Sequence, residues 1–172
     1  MGFYQPYNGG VGLLMEHGIA VACSVEIEAS CGEVFDVIHD YGIRLRWDTL
    51  LSKACIVDEG VTVAGVGVRT LCVGRAKFGV VGLETVYVSF QRGRVAAVKM
   101  TRGPWFLEDF AASMVHAGIP SSVGERSRVT YNLRIVARPR WLRFVMNPVL
   151  GFVFRVETGR RLAGLKRYVE SG

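Results

Sequence analysis

Few side chains in this 172-residue chain stand where they could do chemistry. Glu84 precedes Val86, Val88 and Phe90 in an alternating run, so strand parity aims it wherever those residues face. A carboxyl held in an apolar pocket titrates high and can serve as a general acid or base; the plainer reading is a strand-end glutamate paired with an arginine. Arg69, on one face with Leu71 and Val73, is its natural partner, although Val66, Val68 and Cys72 compete for that interior. In "FLEDFAASMVH" the residues Phe106, Glu108, Phe110, Ala112, Met114 and His116 share a face. That set is bulky and mixed in polarity, as a ligand-facing wall should be, which puts Glu108 rather than Asp109 inside. His116, near the strand end, reads more naturally as a rim residue. Tyr131 lies on the dry face of a later strand, and its hydroxyl needs a partner if buried. Glu84, Glu108, Arg69 and Tyr131 are therefore the catalytic candidates.

Other chemistries lack their signatures. The chain has no G-x-S-x-G, no phosphate-binding loop, no H-E-x-x-H and no dinucleotide fingerprint at a strand–helix junction. Cys23, Cys31, Cys55 and Cys72 form no C-x-x-C pair and no metal-like spacing with the three histidines, so no metal and no cofactor are expected. All four sit in or beside apolar runs and read as buried, reduced thiols, which points to the cytoplasm. No apolar run is long enough to cross a membrane, and the first residues lack the basic start of a secretory signal.

The elements that must position these residues follow from periodicity. "VEIEASCGEVFDVIHD" (25–40) passes from strand alternation to helical spacing through Ser30 and Glu33, the spacing of a capping box. A second brief helix or turn holds Ile43, Leu45 and Trp47. Six β-rich runs follow to residue 139, and "QRGR" makes a tight hairpin turn in which Gly93 can take positive φ. The period then changes. Asn147 reads as an N-cap with Pro148 at the first helical position, and Val149, Phe152, Val153, Val156, Leu162, Leu165 and Val169 recur at helical spacing. Residues 1–18 read as a loose arm and 19–172 as one domain. The expected fold is α+β: a seven-stranded antiparallel sheet curved around a long C-terminal helix, with two short helices after the first strand closing its open end. Such a grip leaves a cavity. Its expected lining is Val86, Val88, Phe90, Met100, Phe106, Glu108, Phe110, Tyr131, Leu133, Phe152 and Val156. Trp47 serves as core or as a lid, and Gly159, in mid-helix, leaves room for a packed neighbour or a ligand.

With the elements in place, "VEIEASCGEVFDVIHDYGIRLRWD" and "GRRLAGLKRYVE" (159–170) resemble the START/Bet v 1-like (SRPBCC) superfamily, and within it the polyketide cyclase/dehydrase-like branch. The resemblance runs over roughly residues 19 to 170 and implies a helix-grip fold with a deep, largely apolar pocket. It implies binding, transport or sensing of a lipid or polyketide; the alternative is an aromatase/cyclase or dehydratase-like enzyme using pocket carboxylates. No catalytic motif is shared across the family, so whether this chain is an enzyme stays open.

Charge is unevenly spread. Of a net +6, residues 124–172 hold 11 Lys/Arg against 3 acids, and residues 1–123 hold 10 against 12. Trp141, Phe144 and Met146 are apolar beyond what one packed stripe requires, and Arg138, Arg140 and Arg143 lie among them. That mixture suits an anionic membrane surface. Nucleic acid is disfavoured, because no aromatics interleave along a basic strand face.

Overall fold

The computed structural model describes residues 18–76, 79–122 and 124–171; the expected arm at 1–18 lies almost wholly outside them. Alternating β-branched residues and glycine-bounded turns give seven strands: β1 (Ile19–Ile27), β2 (Leu51–Ile56), β3 (Arg69–Ala76), β4 (Gly79–Gln91), β5 (Val95–Arg102), β6 (Leu107–Gly118) and β7 (Ser127–Ala137). They form one antiparallel sheet in the order β1-β7-β6-β5-β4-β3-β2, so the first and last strands pair and every other neighbour is a hairpin. Gly93 turns the β4–β5 hairpin at φ 70°, as expected there. Between β1 and β2 lie α1 (Cys31–His39) and α2 (Arg44–Trp47). Ser30 caps α1, its hydroxyl accepting from the Glu33 backbone N–H.

The long helix α3 (Arg143–Glu170) starts five residues earlier than the Asn147-Pro148 signal implies. A 3-10 turn (Arg140–Leu142) leads into it. Its first turn is pinned by Arg143, whose Nε donates to the Ala137 carbonyl while an Nη ion-pairs with Glu108. Asn147 is not a cap; it is buried, and its Oδ1 accepts from the Ala137 N–H at the end of β7. Pro148 therefore sits inside the helix and costs the Phe144 carbonyl its helical donor.

Two apolar clusters fill the grip. One gathers Phe35, Tyr87, Phe110, Leu133, Ile135 and Leu150; the other gathers Ile27, Val34, Ile38, Trp47, Met114, Val129, Leu162 and Leu165. Cys23 and Tyr131 touch both. The four cysteines are free and half-buried rather than fully buried.

Candidate functional site

Interlocking rings stand at the centre of the first cluster. The Phe35 ring packs 4.3 Å from His39, 5.0 Å from Phe90 and 5.3 Å from His116, and Phe90 meets Tyr87 edge-on at 5.3 Å. His39 Nδ1 and the Tyr87 hydroxyl are 2.8 Å apart, and the Tyr41 hydroxyl is 3.2 Å from that of Tyr87. Burial lowers His39 to a pKa of about 3, helped by the charge of Arg44, and lowers His116 to about 4. Both imidazoles are neutral at physiological pH. His116 is thus a core residue and not a rim one.

Among the described residues, a cleft opens in the second cluster. A narrow cleft with an enclosed volume of about 20 Å³ is lined by Ile38, Arg44 and Trp47 from α1 and α2, Met114 and Tyr131 from the sheet, and Thr158, Arg161, Leu162 and Leu165 from α3. That is room for about one water, so a ligand would have to part the helices from the sheet to enter. Trp47 is buried, its indole N–H donating to the Val37 carbonyl. Arg44 stacks its guanidinium 4.4 Å above the Trp47 ring and donates to the Ile38 carbonyl at 2.7 Å. Asp48, fully buried, stands behind the wall between Arg44 and Arg161. Burial pushes the Tyr131 phenol up, so it stays protonated and can donate.

Of the eleven expected lining residues, only Tyr131 reaches this cleft. Strand irregularities explain part of the difference. β4 shifts register between Glu84 and Thr85 and again between Tyr87 and Ser89, so Thr85, Tyr87 and Phe90 all turn inward. Val86 is only half-buried and Val88 is 56% exposed, away from the interior. Glu84 accepts from the Thr101 hydroxyl and lies 3.8 Å from Arg69, which is held chiefly by Asp58 at 2.8 Å. The expected Glu84–Arg69 pair exists, but outside the pocket. A shift between Leu107 and Asp109 likewise breaks the parity of β6. Glu108 faces Arg143, which holds its carboxyl below the usual range, and so anchors the helix start instead of lining the cleft. Phe110 and Leu133 are packed core, with Phe90, Met100 and Phe106 against them.

The helix was turned in the expectation. Phe152 is 70% exposed and Val156 also faces solvent, because the stripe that points inward is Asn147, Leu150, Phe154, Thr158, Leu162 and Leu165. Gly159 meets open space; the helix glycines in close contact are Gly164, where a Cβ would lie 2.6 Å from the Trp47 carbonyl oxygen, and Gly151, where it would lie 2.7 Å from Ile19 Cδ1. Arg44, Asp48 and Arg161 were legible as signals. "RLRWD" sets Arg44 and Asp48 at i,i+4, and Arg161 places a cation on the inward stripe of an otherwise apolar helix face.

The chain is similar to several solved structures across almost its whole length. An aromatase/cyclase, ZhuI, from Streptomyces sp. R1128 superposes with a TM-score of 0.73 at 14% identity, covering 90% of this chain and 94% of that one. A START superfamily protein from Mycobacterium smegmatis gives 0.70 at 11%, covering 88% and 97%. A norcoclaurine synthase point mutant from Thalictrum flavum gives 0.61 at 12%, covering 89% and 94%. At such identities the likeness establishes the helix-grip fold and nothing finer. No curated protein matches the chain. A family model described as polyketide cyclase/dehydrase and lipid transport matches residues 19–170. With that match running from the first strand to the end of the closing helix, the chain belongs to the polyketide cyclase/dehydrase and lipid transport family.

Proposed function

We propose that the protein binds a hydrophobic small molecule in the cleft between α1, α2 and α3, as a carrier or sensor. The observation that carries this reading is the family match over residues 19–170; the apolar crevice at Ile38, Trp47, Met114, Leu162 and Leu165 supports the place. A cyclase or dehydratase reading has less support, because Glu84 and Glu108 are tied to arginines away from the cleft. Native mass spectrometry of the freshly purified protein tests binding directly. A retained non-covalent adduct, absent when Leu162→Trp fills the cleft, is expected; an adduct that survives Leu162→Trp in a folded protein would place the ligand elsewhere.

We also propose that the first half of α3 meets an anionic membrane. Val145, Val149, Phe152 and Val156 follow one another at helical spacing on its outer face, and Phe144 (61% exposed) and Trp141 (75%) extend the patch. Met146 is half-buried against the core and does not take part. Arg138, Arg140 and Arg155 are exposed around this face, and residues 126–156 contain no acid. Arg143, expected among them, is buried and paired with Glu108. Each arginine near an anionic bilayer is worth about 1 kcal/mol, and salt screens the attraction. Among the described residues no helix is long and apolar enough to cross a membrane, so contact would be peripheral. Co-sedimentation with phosphatidylserine vesicles at low salt should exceed that with phosphatidylcholine, and should fall for a Trp141→Ala, Phe152→Ala variant. No binding at low salt, together with a mass that doubles with concentration, would assign the face to a second copy instead. Free thiols on all four cysteines suit a reducing compartment, and we place the protein in the cytoplasm.

A further inference from the structure

We infer that the turn between β5 and β6 is a second arm of the membrane contact: Trp105 enters the lipid interface beside Trp141, and the protein docks by the end of the sheet where both stand. This deepens the membrane reading of α3 and rests on it. Trp105 is 79% exposed, more than any other large apolar side chain among the described residues. That exposure is built in. The Leu107 N–H donates to the Pro104 carbonyl at 3.0 Å and closes the turn. Phe106 packs against the core, and its carbonyl accepts from the Arg138 N–H at 2.8 Å. Gly103, on the other side, has no room for a side chain beside Met100. A turn tied down on both sides of Trp105 thus holds that one ring out. Among the described residues the ring meets one other, Phe106, edge-on at 5.8 Å.

The Arg138–Phe106 hydrogen bond sets this turn beside the connection from β7 into α3, which carries Trp141 and leads to Phe144. Two exposed indoles therefore stand at one end of the sheet, on different elements. The free charges around them are of one sign. Arg102, Arg138 and Arg140 are exposed there, with no ion-pair partner among the described residues. The carboxylates close by are matched: Glu108 by Arg143, and Asp109 by Arg134. Glu84, opposite Arg102 in the sheet, accepts from the Thr101 hydroxyl and lies 3.8 Å from Arg69. An indole suits the boundary between headgroups and acyl chains, because its body is apolar and its N–H needs a polar partner. Arginines beside it reach anionic headgroups. Contacts from the outer row of α3 alone lie along one line and leave the molecule free to roll about the helix axis. A second arm on another element turns that line into a plane, and a plane is the shape a bilayer offers.

The test uses the full chain and vesicles of phosphatidylserine with phosphatidylcholine brominated on its acyl chains. A Trp141→Phe variant keeps Trp105 and the buried Trp47 as emitters, and a Trp105→Phe, Trp141→Phe variant keeps Trp47 alone. The vesicles should quench the first variant and leave the second unchanged. In co-sedimentation at low salt, Trp105→Ala should weaken partitioning about tenfold, the equivalent of roughly 1.4 kcal/mol for one large apolar side chain leaving water. The ring is exposed in the free protein, so its removal should leave the fold intact. Wild type that binds these vesicles while Trp105 stays unquenched and Trp105→Ala partitions normally would overturn the second arm and leave contact through α3 standing. Wild type that ignores the vesicles at low salt would overturn the membrane reading, and this inference with it. A sedimentation mass that doubles with concentration, and returns to that of one chain in Trp105→Ala, would assign the turn to a second copy and overturn the inference as well.

Discussion

The two apolar clusters use the same sheet and the same covering helix, yet rings dominate one, and aliphatic side chains beside two arginines the other. In the first, rings from α1, β4 and β6 interlock: Phe35, His39, Tyr87, Phe90 and His116 pack with centroids 4.3–5.5 Å apart. In the second, the α1 residue Ile38 and the α2 residue Trp47 face leucines across a cleft bordered by two arginines. The difference comes from side-chain type at equivalent depth. Flat rings tile a concave surface edge to face, whereas a pair of guanidiniums cannot approach closely and keeps its neighbours apart.

Truncation should separate the clusters most sharply. Phe35→Ala removes a fully buried ring and should cost about 3–5 kcal/mol in urea unfolding. Met114→Ala, which only widens an existing cleft, should cost nearer 2 kcal/mol. Equal losses would mean that the second cluster is packed as tightly as the first.

Titration is the next handle. His39 and His116 have folded pKa values of about 3 and about 4, depressed from 6.5. The unfolded chain therefore binds more protons below pH 6.5, and the stability held by these neutral rings is complete above that pH. It is lost progressively as pH falls from 6.5 toward 4, by on the order of a few kcal/mol. His116→Phe should show a shallower loss over that window. An unchanged slope would show that the imidazole is not held neutral by burial.

The helix contact gives smaller effects of opposite sign. Gly164→Ala must push a methyl group against the Trp47 carbonyl and so move α3 off α2; a loss of about 1–2 kcal/mol is expected despite the better helix former. Gly159→Ala meets open space and should stabilise by about 0.5–1 kcal/mol. Destabilisation by Gly159→Ala would contradict the orientation of the helix described above.

That orientation also shows what the sequence could and could not reveal. Fold, strand order and the short capped helices follow from periods of two and 3.6, which survive local irregularity. Pocket residues depend on parity, and a single bulge reverses it: the shifts near Glu84, Tyr87 and Leu107 sent Val86, Val88 and Glu108 away from the cleft. On α3 both sides of residues 144–156 are apolar, so hydrophobicity alone does not choose the inward stripe. Continuation does: the Leu150–Phe154–Thr158 row runs on into Leu162 and Leu165, whereas the Val149–Phe152–Val156 row runs on into Gly159, Arg160 and Ala163. Arg44 and Arg161 were visible as cations at inward spacings but draw their meaning only from meeting at the buried Asp48.

Trp47 offers the most direct test that the cleft is the ligand site. The chain has three tryptophans, and Trp105 and Trp141 are exposed and outside the cleft. In a Trp105→Phe, Trp141→Phe variant the remaining emission reports from the cleft wall alone. Titration with a terminally brominated decanoate should quench that emission saturably at one equivalent, and plain decanoate should restore it. Binding of the brominated probe seen by calorimetry without quenching of Trp47 would contradict the account.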